Sequence, residues 1–100
     1  LGLYSMTKAA LIMMTKNQAK EWGRYDIRSN AVCPGLIKTK FSESLWSNEK
    51  LVAGYEQMVP LKRMAEPDEM AGLVMLLASD AGSYMTGGVY AADGGYLISG

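Results

Sequence analysis

Tyr4 and Lys8 are the two residues whose types and spacing best suggest chemistry. They stand four residues apart in a stretch that contains no proline or glycine until Gly23, and residues four apart share one face of a helix. A positive charge beside a phenol favours the ionised phenol, so such a pair can donate a proton to a carbonyl oxygen or accept one from an alcohol. The alternative interpretation is an inert pair on a helix surface.

The element that must position this pair is a helix, predicted from Tyr4 to about Trp22. Alanines and straight-chain residues favour the helix, and Gly23 is expected to end it. Its apolar residues occupy more than one narrow stripe, which is typical of a helix buried from two directions. They are Ala9, Ala10, Leu11, Ile12, Met13, Met14, Ala19 and Trp22.

A second candidate site follows a predicted strand from Ile27 to Cys33. Asn30 interrupts the apolar residues of this strand, and because a buried amide needs hydrogen-bond partners, we expect a structural bridge there. In open α/β sheets, ligands bind outside the carboxyl ends of the strands. We therefore expect the segment from Pro34 to Thr39 to lie at a ligand site, with an ordinary Pro-Gly turn as the alternative.

The remaining segments predict two more helices and a second strand. The segment from Lys40 to Val59 is a loop with helical pieces, and its apolar spacing predicts a helix at 48–58, where Ser47 is a candidate cap. Pro67 begins a helix that extends to about Ser79, because proline is tolerated at the first helical position. Its predicted buried stripe is Met70, Leu73, Val74 and Leu77.

The predicted second strand, Gly88 to Ala92, ends at Asp93-Gly94-Gly95. One or both of these glycines are expected to take positive φ angles. Asp93 resembles a catalytic carboxylate, but nothing titratable lies near it in sequence, so a turn role is the better interpretation.

Composition excludes several classes of function. Ten basic and ten acidic residues cancel without a basic run, which argues against nucleic acid and membrane surfaces as partners. The absence of histidine excludes histidine catalysis and histidine metal sites, and Cys33 is the only cysteine. We therefore expect no metal, no intrachain disulfide, a reduced and buried thiol, and a cytoplasmic protein. The longest apolar run, 9–14, is too short to span a membrane.

Taken together, these segments resemble the C-terminal part of a short-chain dehydrogenase/reductase. The resemblance rests on Tyr4-x-x-x-Lys8, on the run from Ile27 to Thr39, on Thr86-Gly87-Gly88 and on Asp93-Gly94-Gly95, in this order. It implies an α/β fold, the C-terminal part of a Rossmann-like doubly wound parallel sheet, read as helix, strand, lid with helical pieces, helix and strand. The chain is then a single partial domain, 1–100, with a substrate lid at 40–60. Its leucine start suggests an internal start, with the family's glycine-rich phosphate loop and catalytic serine encoded before it.

The resemblance also implies roles for individual residues. Tyr4 would be the general acid/base, while Lys8 would favour the phenolate and hold the nicotinamide ribose, so that both residues contact the cofactor. Pro34, Gly35 and Ile37 would line the nicotinamide ring, and the Ile37 backbone and the Thr39 hydroxyl would hold its carboxamide. Two alternatives stay open for three lid residues, an apolar wall for the substrate or a core beneath the lid: Phe41, Leu45 and Trp46.

The implied function is that of an NAD(P)-dependent oxidoreductase. As part of a longer protein, it would transfer a hydride between the nicotinamide of NAD or NADP and a small carbonyl or alcohol substrate. The family resemblance implies a homo-oligomer, a dimer or a tetramer, whereas the isolated 100-residue chain is expected to be inactive. The alternative hypothesis is a truncated, non-catalytic assembly module in which the apolar arc of the first helix and the last strand drive oligomerisation and the Tyr4–Lys8 pair is inert.

Overall fold

The first helix, α1, extends over Gly2–Trp22 in the computed structural model, which describes residues 2–98, excepting the Ile98 side chain. A 3₁₀ turn, Gly23–Tyr25, follows. The residue that takes the left-handed conformation is Asp26 (φ 61°, ψ 31°), whose N–H donates to the Gly23 carbonyl. The helix therefore ends where it was predicted to end, directly before Gly23. The left-handed residue of the turn, however, is an aspartate, whose short polar side chain tolerates this conformation.

The two strands are β1, Ala31–Pro34, and β2, Val89–Ala92. They form a two-stranded parallel sheet, in which the Ala31 N–H donates to the Gly88 carbonyl at 2.9 Å and the Gly35 N–H to the Ala92 carbonyl at 3.1 Å. The predicted α/β class with parallel strands is confirmed.

The predicted start of β1 at Ile27 is wrong. The residues before Ala31 bond a loop instead of a strand, because the Ser29 N–H donates to the Thr86 hydroxyl at 3.0 Å and the Ser29 carbonyl accepts from the Gly87 N–H at 2.7 Å. The Thr86 hydroxyl thus accepts the hydrogen bond that a backbone carbonyl would accept if Ser29 belonged to a strand.

Two helices form the segment predicted as a lid: α2, Glu43–Trp46, and α3, Glu49–Met58. The predicted cap at Ser47 is wrong, because Ser47 follows the last residue of α2 as its C-cap (φ −78°, ψ −12°). Asn48 caps α3 instead. Its backbone is extended, and its Oδ1 accepts from the N–H groups of Lys50 and Leu51 at 3.1 and 3.2 Å.

The last helix, α4, extends over Ala71–Ala78 and is preceded by a 3₁₀ turn, Pro67–Met70. Proline therefore stands at the first helical position, as predicted. The predicted buried stripe is only partly correct, since Val74 is 49% exposed while the other three members, Met70, Leu73 and Leu77, are half-buried. Short 3₁₀ turns follow at Asp80–Gly82 and Tyr96–Ile98.

The residues group into two compact units. The first contains the chain up to Val32 together with Met75–Tyr90, and the second contains Cys33–Val74 together with the residues from Ala91 onward. Among the described residues, each unit has one buried apolar side chain: Ala19, at 8% exposure, in the first, and Val59, at 0%, in the second.

The turn after β2 packs against the buried residue of the second unit. Gly94 and Gly95 have φ angles of 65° and 92°, as predicted. A Cβ on Gly94 would lie 2.9 Å from Cγ2 of Val59, and one on Gly95 would lie 2.7 Å from Cγ of Pro60. Both positions therefore need glycine for conformation and for space.

The two-sided burial predicted for α1 is not found in the described residues. Leu11, Met13 and Met14 are 48%, 56% and 47% exposed, and among the described residues of α1 only Ala19 is buried. The described sheet has two strands of four residues each, and one sheet can cover only one side of a helix, so burial of the other side needs a partner outside the described residues. Cys33, predicted to be buried, is likewise half-buried and free.

No helix in the described range has the length and apolar character required to cross a membrane.

Candidate active site

Tyr4 and Lys8 lie together near the start of α1, as their spacing predicted. The Lys8 ammonium lies over the Tyr4 ring, 5.3 Å from its centroid. The Tyr4 side chain is 63% exposed, so its hydroxyl can be reached by a ligand. Helix geometry places the two side chains one turn apart, and the result is a phenol with an adjacent positive charge on one accessible face.

The segment 34–39 lies in the second compact unit, and its backbone makes an isolated parallel bridge. Ile37 pairs with Ala65, where the Leu36 carbonyl accepts from the Ala65 N–H at 3.1 Å and the Lys38 N–H donates to the Ala65 carbonyl at 2.9 Å. Backbone groups of consecutive extended residues point to opposite sides. The N–H of Ile37 is therefore directed away from Ala65, and it suits a carbonyl acceptor such as a carboxamide oxygen.

Gly35 is a position where only glycine fits. A Cβ there would lie 2.8 Å from Cα of Asp93 and 3.0 Å from the hydroxyl oxygen of Tyr55. That hydroxyl also accepts a hydrogen bond of 3.2 Å from the Leu36 N–H. Gly35 thus permits close packing between the segment 34–39 and the turn that follows β2. Pro34, beside it, is exposed.

Ser42 connects the two predicted carboxamide-holding residues. Its Oγ donates to the Ile37 carbonyl at 2.6 Å and accepts from the Thr39 N–H at 3.0 Å. The Thr39 hydroxyl in turn lies 3.2 Å from both the Oγ and the backbone nitrogen of Ser42. The sequence reasoning missed Ser42, and its position directly before a short helix was the available signal.

The three predicted lid residues differ in their surroundings. Phe41 is 99% exposed and Leu45 is 43% exposed, so neither forms a core beneath the lid in this chain. Trp46 is half-buried, and its indole N–H donates to the Thr39 carbonyl at 2.6 Å. The Lys38 ammonium lies 4.9 Å from its ring centroid. Trp46 is therefore held by polar contacts as well as by packing.

Asn30 and Asp93 have the structural roles that the sequence predicted. The Asn30 amide donates to the Met85 carbonyl at 2.9 Å and accepts from the Gly88 N–H at 3.1 Å. The Asp93 carboxylate accepts from the N–H groups of Gly95 and Leu97 at 2.9 and 3.1 Å. Their polar atoms are thus committed to backbone partners.

A cavity of about 200 Å³ lies in the second unit, lined in part by Gly35, Tyr55, Arg63 and Glu69. Arg63 and Glu69 make two hydrogen bonds of 2.6 and 2.7 Å. The Arg63 hydrogen bond, helped by one from the Glu66 N–H, lowers the pKa of Glu69 to about 2, and the same hydrogen bond raises the pKa of Arg63. Because these charges neutralise each other, the cavity offers a ligand no unpaired charge from this pair.

Within the second unit, the outward N–H of Ile37 and the hydroxyl of Thr39 are groups of the kind that a carboxamide needs, since a carboxamide carries both a carbonyl acceptor and an amide donor. In the first unit, Lys8 supplies a cation next to the Tyr4 ring. Among the described residues, no cluster of three or more carboxylate or thiol side chains could hold a metal ion.

The chain is similar to known proteins over nearly its whole length. Residues 1–97 match a family model described as enoyl-(acyl carrier protein) reductase. A tropinone reductase homolog of Arabidopsis thaliana is 41% identical over 99 residues, which is 99% of this chain and 38% of that protein. The chain therefore spans less than half the length of this curated relative.

Solved structures superpose closely on this chain. A 4-hydroxyisoleucine dehydrogenase complexed with NADH has a TM-score of 0.91 and 33% identity, and the match covers 95% of this chain and 39% of that one. A gluconate 5-dehydrogenase from Burkholderia cenocepacia, in complex with NADP and tartrate, has a TM-score of 0.90 and 30% identity, with 95% and 37% covered. These matches show that the chain is a fragment of the same Rossmann-type fold, as the sequence predicted.

Proposed function

Because this chain belongs to the short-chain dehydrogenase/reductase family, we propose that it is the C-terminal part of an NAD(P)-dependent oxidoreductase. The reaction is the transfer of a hydride between the nicotinamide and a small carbonyl or alcohol substrate. The observation that carries the proposal is the exposed phenol of Tyr4 with the Lys8 ammonium 5.3 Å from its ring centroid.

Tyr4 is the proton donor and acceptor of the proposed reaction. When a carbonyl is reduced, the Tyr4 hydroxyl gives its proton to the oxygen, while a reduced nicotinamide held by the protein would supply the hydride to the carbon. In alcohol oxidation, the tyrosinate takes that proton. General acid–base catalysis of this kind contributes roughly 10²- to 10⁴-fold to a rate. Lys8 stabilises the negative charge on the phenol and holds the ribose.

The segment 34–39 is the proposed support of the nicotinamide. Pro34, Gly35 and Ile37 line the ring, and the Ile37 backbone and Thr39 hydroxyl hold the carboxamide. The backbone bridge to Ala65 supports this role, since it directs the Ile37 N–H away from its own pairing partner. The relatives solved with NADH and with NADP support a nicotinamide of either kind.

The lid and the assembly are part of the same proposal. The segment 40–60 forms a lid whose exposed Phe41 and Leu45, together with Trp46, contact the substrate. The exposed apolar side chains of α1 support a homo-oligomer, a dimer or a tetramer, and the free thiol of Cys33 supports a reducing, cytoplasmic location. The alternative of a non-catalytic assembly module gains no support from the comparisons.

The experiment uses the longer protein of which this chain is a part. Its expected length is roughly 260 residues, because 99 aligned residues make up 38% of the Arabidopsis relative, and the intact mass checks this first. The Tyr4→Phe variant should then lose about 100-fold or more in kcat, measured with NADH or NADPH on a panel of ketones and aldehydes and with NAD⁺ or NADP⁺ on a panel of sugar alcohols.

Tyr25→Phe is the matched control. Tyr25 is 61% exposed and also has a cation over its ring, since Arg24 lies 4.8 Å from the centroid. Its variant should keep the wild-type kcat. Equal kcat values for wild type and Tyr4→Phe, or a wild-type protein that binds neither cofactor, would refute the proposed function.

A further inference from the structure

We propose that Ser42 and Trp46 are positioning residues for the nicotinamide carboxamide, acting through the backbone at Ile37 and Thr39. The inference rests on the proposed function. It adds Ser42, which touches neither cofactor nor substrate in its proposed role, and gives Trp46 a second role beside its proposed place in the lid. All four residues belong to the second compact unit.

Ser42 fixes both ends of the carboxamide-holding stretch at once. Its Oγ donates to the Ile37 carbonyl at 2.6 Å and accepts from the Thr39 N–H at 3.0 Å. The peptide units around Lys38 are therefore clamped between two bonds from a single hydroxyl. The N–H of Ile37 and the side chain of Thr39 keep their relative orientation because these bonds hold the backbone that carries them.

Ser42 makes these bonds instead of capping its own helix. It occupies the N-cap position of α2, yet its side chain makes no capping hydrogen bond. A serine at this position normally accepts from an N–H of the first turn, and this bond stabilises a helix. The Ser42 hydroxyl points back toward residues 37–39. Its hydrogen bonds therefore stabilise the backbone conformation of that stretch instead of the helix.

Trp46 anchors the same stretch from the other end of α2. Its indole N–H donates to the Thr39 carbonyl at 2.6 Å. Indole has only this one polar group, a donor, and here a main-chain carbonyl takes it. The Lys38 ammonium, 4.9 Å from the ring centroid, adds a cation–π contact to the same ring. The Thr39 peptide is thus bonded by Trp46 through its carbonyl and by Ser42 through its N–H.

These contacts matter for cofactor binding because hydrogen bonds to the carboxamide depend on where the donor and acceptor atoms of the protein lie. If the Ile37 N–H or the Thr39 hydroxyl shifts by a fraction of an ångström, a hydrogen bond to the ligand lengthens and weakens. Preorganisation lowers the cost of ordering the site when the ligand arrives. Loosening the stretch should therefore weaken cofactor binding, while the Tyr4 chemistry continues in those molecules that have bound it.

The test compares variants of the full-length protein in which one donor is removed at a time. Ser42→Ala and Trp46→Phe should each raise the Kd for NADH or NADPH, measured by calorimetry, about fivefold to tenfold, the effect of one net hydrogen bond. The KM for the cofactor should rise in parallel in both variants, and in Ser42→Ala the kcat at saturating cofactor and substrate should stay within about twofold of wild type. Ser42→Thr, which keeps the hydroxyl, should restore most of the affinity.

Ser44→Ala is the control, because Ser44 lies on the same helix and is exposed, and its hydroxyl makes no hydrogen bond among the described residues. It should leave the cofactor Kd unchanged. An unchanged cofactor Kd in both Ser42→Ala and Trp46→Phe, with Tyr4→Phe still inactive, overturns this inference alone. So does a Ser42→Ala protein that loses kcat and affinity equally and is not rescued by threonine, since that is a general structural defect. A wild-type protein that binds neither cofactor overturns the inference and the proposed function together.

Discussion

Replacing Gly35 with alanine should destabilise the protein through a single added methyl group. The new Cβ would lie 2.8 Å from Cα of Asp93, 3.0 Å from the Tyr55 hydroxyl oxygen and 3.1 Å from Cβ of Asp93. Carbon atoms pack best at about 3.5–4.0 Å, so the backbone at Asp93 has to retreat by roughly 0.7 Å or more.

The backbone at Asp93 is poorly able to retreat. The Asp93 carboxylate is bonded to the N–H groups of Gly95 and Leu97, and the Gly35 N–H itself donates to the Ala92 carbonyl at 3.1 Å. Overpacking of a site that cannot relax costs about 1–3 kcal/mol. We therefore expect Gly35→Ala to lower the free energy of unfolding by this amount.

Urea unfolding of the full-length protein measures this effect, with the slope m checked for constancy. Gly54→Ala is the matched control, since Gly54 lies inside α3 and a Cβ there would meet nothing within 4 Å. Alanine in a helix interior is favoured over glycine by about 0.5–1 kcal/mol, so this control should be more stable than wild type. A Gly35→Ala variant that is as stable as wild type, or more so, would refute the steric reasoning.

Three further predictions concern single polar side chains. Asn30→Ala should destabilise by about 2 kcal/mol, because it removes two hydrogen bonds to backbone groups worth about 1 kcal/mol each, and Asn30→Asp should also destabilise, because a carboxylate cannot donate to the Met85 carbonyl. Asn48→Ala should lower the free energy of unfolding by about 1 kcal/mol through loss of the α3 cap, whereas Ser47→Ala should change it by less than about 0.5 kcal/mol. Glu69→Gln should flatten the pH dependence of stability between about 4.5 and about 2, because the Arg63 hydrogen bond lowers the pKa of Glu69 from 4.5 to about 2 in the folded chain.

The direction of the pH effect follows from that lowered pKa. A carboxylate that binds protons less readily when folded stabilises the protein at pH values above its unfolded pKa, and this contribution is lost as pH falls through its folded pKa. The wild type should therefore lose more stability than Glu69→Gln on acidification. The difference should shrink in high salt, since both partners are partly exposed and mobile ions screen them.

Denaturant unfolding measures the free energy of unfolding of each variant. For wild type and Glu69→Gln, the measurement is repeated at several pH values. Equal stability of Asn30→Ala and wild type would mean that the amide bridge contributes nothing. A larger loss for Ser47→Ala than for Asn48→Ala would contradict the assignment of the cap. Parallel pH curves for wild type and Glu69→Gln would contradict the lowered pKa.

The features that the sequence predicted correctly are those set by neighbours along the chain. Tyr4 and Lys8 share a face of α1 because any helix brings residues four apart together. Pro67 begins a helical segment because its missing N–H costs nothing there, and Gly94 and Gly95 take positive φ angles because glycine lacks a Cβ. Motif order along the chain was also enough to identify the family.

The features that the sequence did not predict depend on partners far apart in the chain or on competition between nearby side chains. The strand β1 begins at Ala31 because Ser29 bonds Thr86, 57 residues away. The Cβ clash at Gly35 exists only because folding brings Asp93 beside it.

Competition between neighbours decided which residues cap α2 and α3. Ser47 and Asn48 are both good capping residues, and backbone conformation selected Asn48. The Ser42 hydroxyl had a helix N-terminus to cap but bonds Ile37 and Thr39 instead. The sequence by itself therefore determined which residue types could do chemistry and on which helix they lie. Only the tertiary structure decided which side chains hold the backbone around them, because a hydrogen bond goes to the partner that the folded chain brings within about 3 Å.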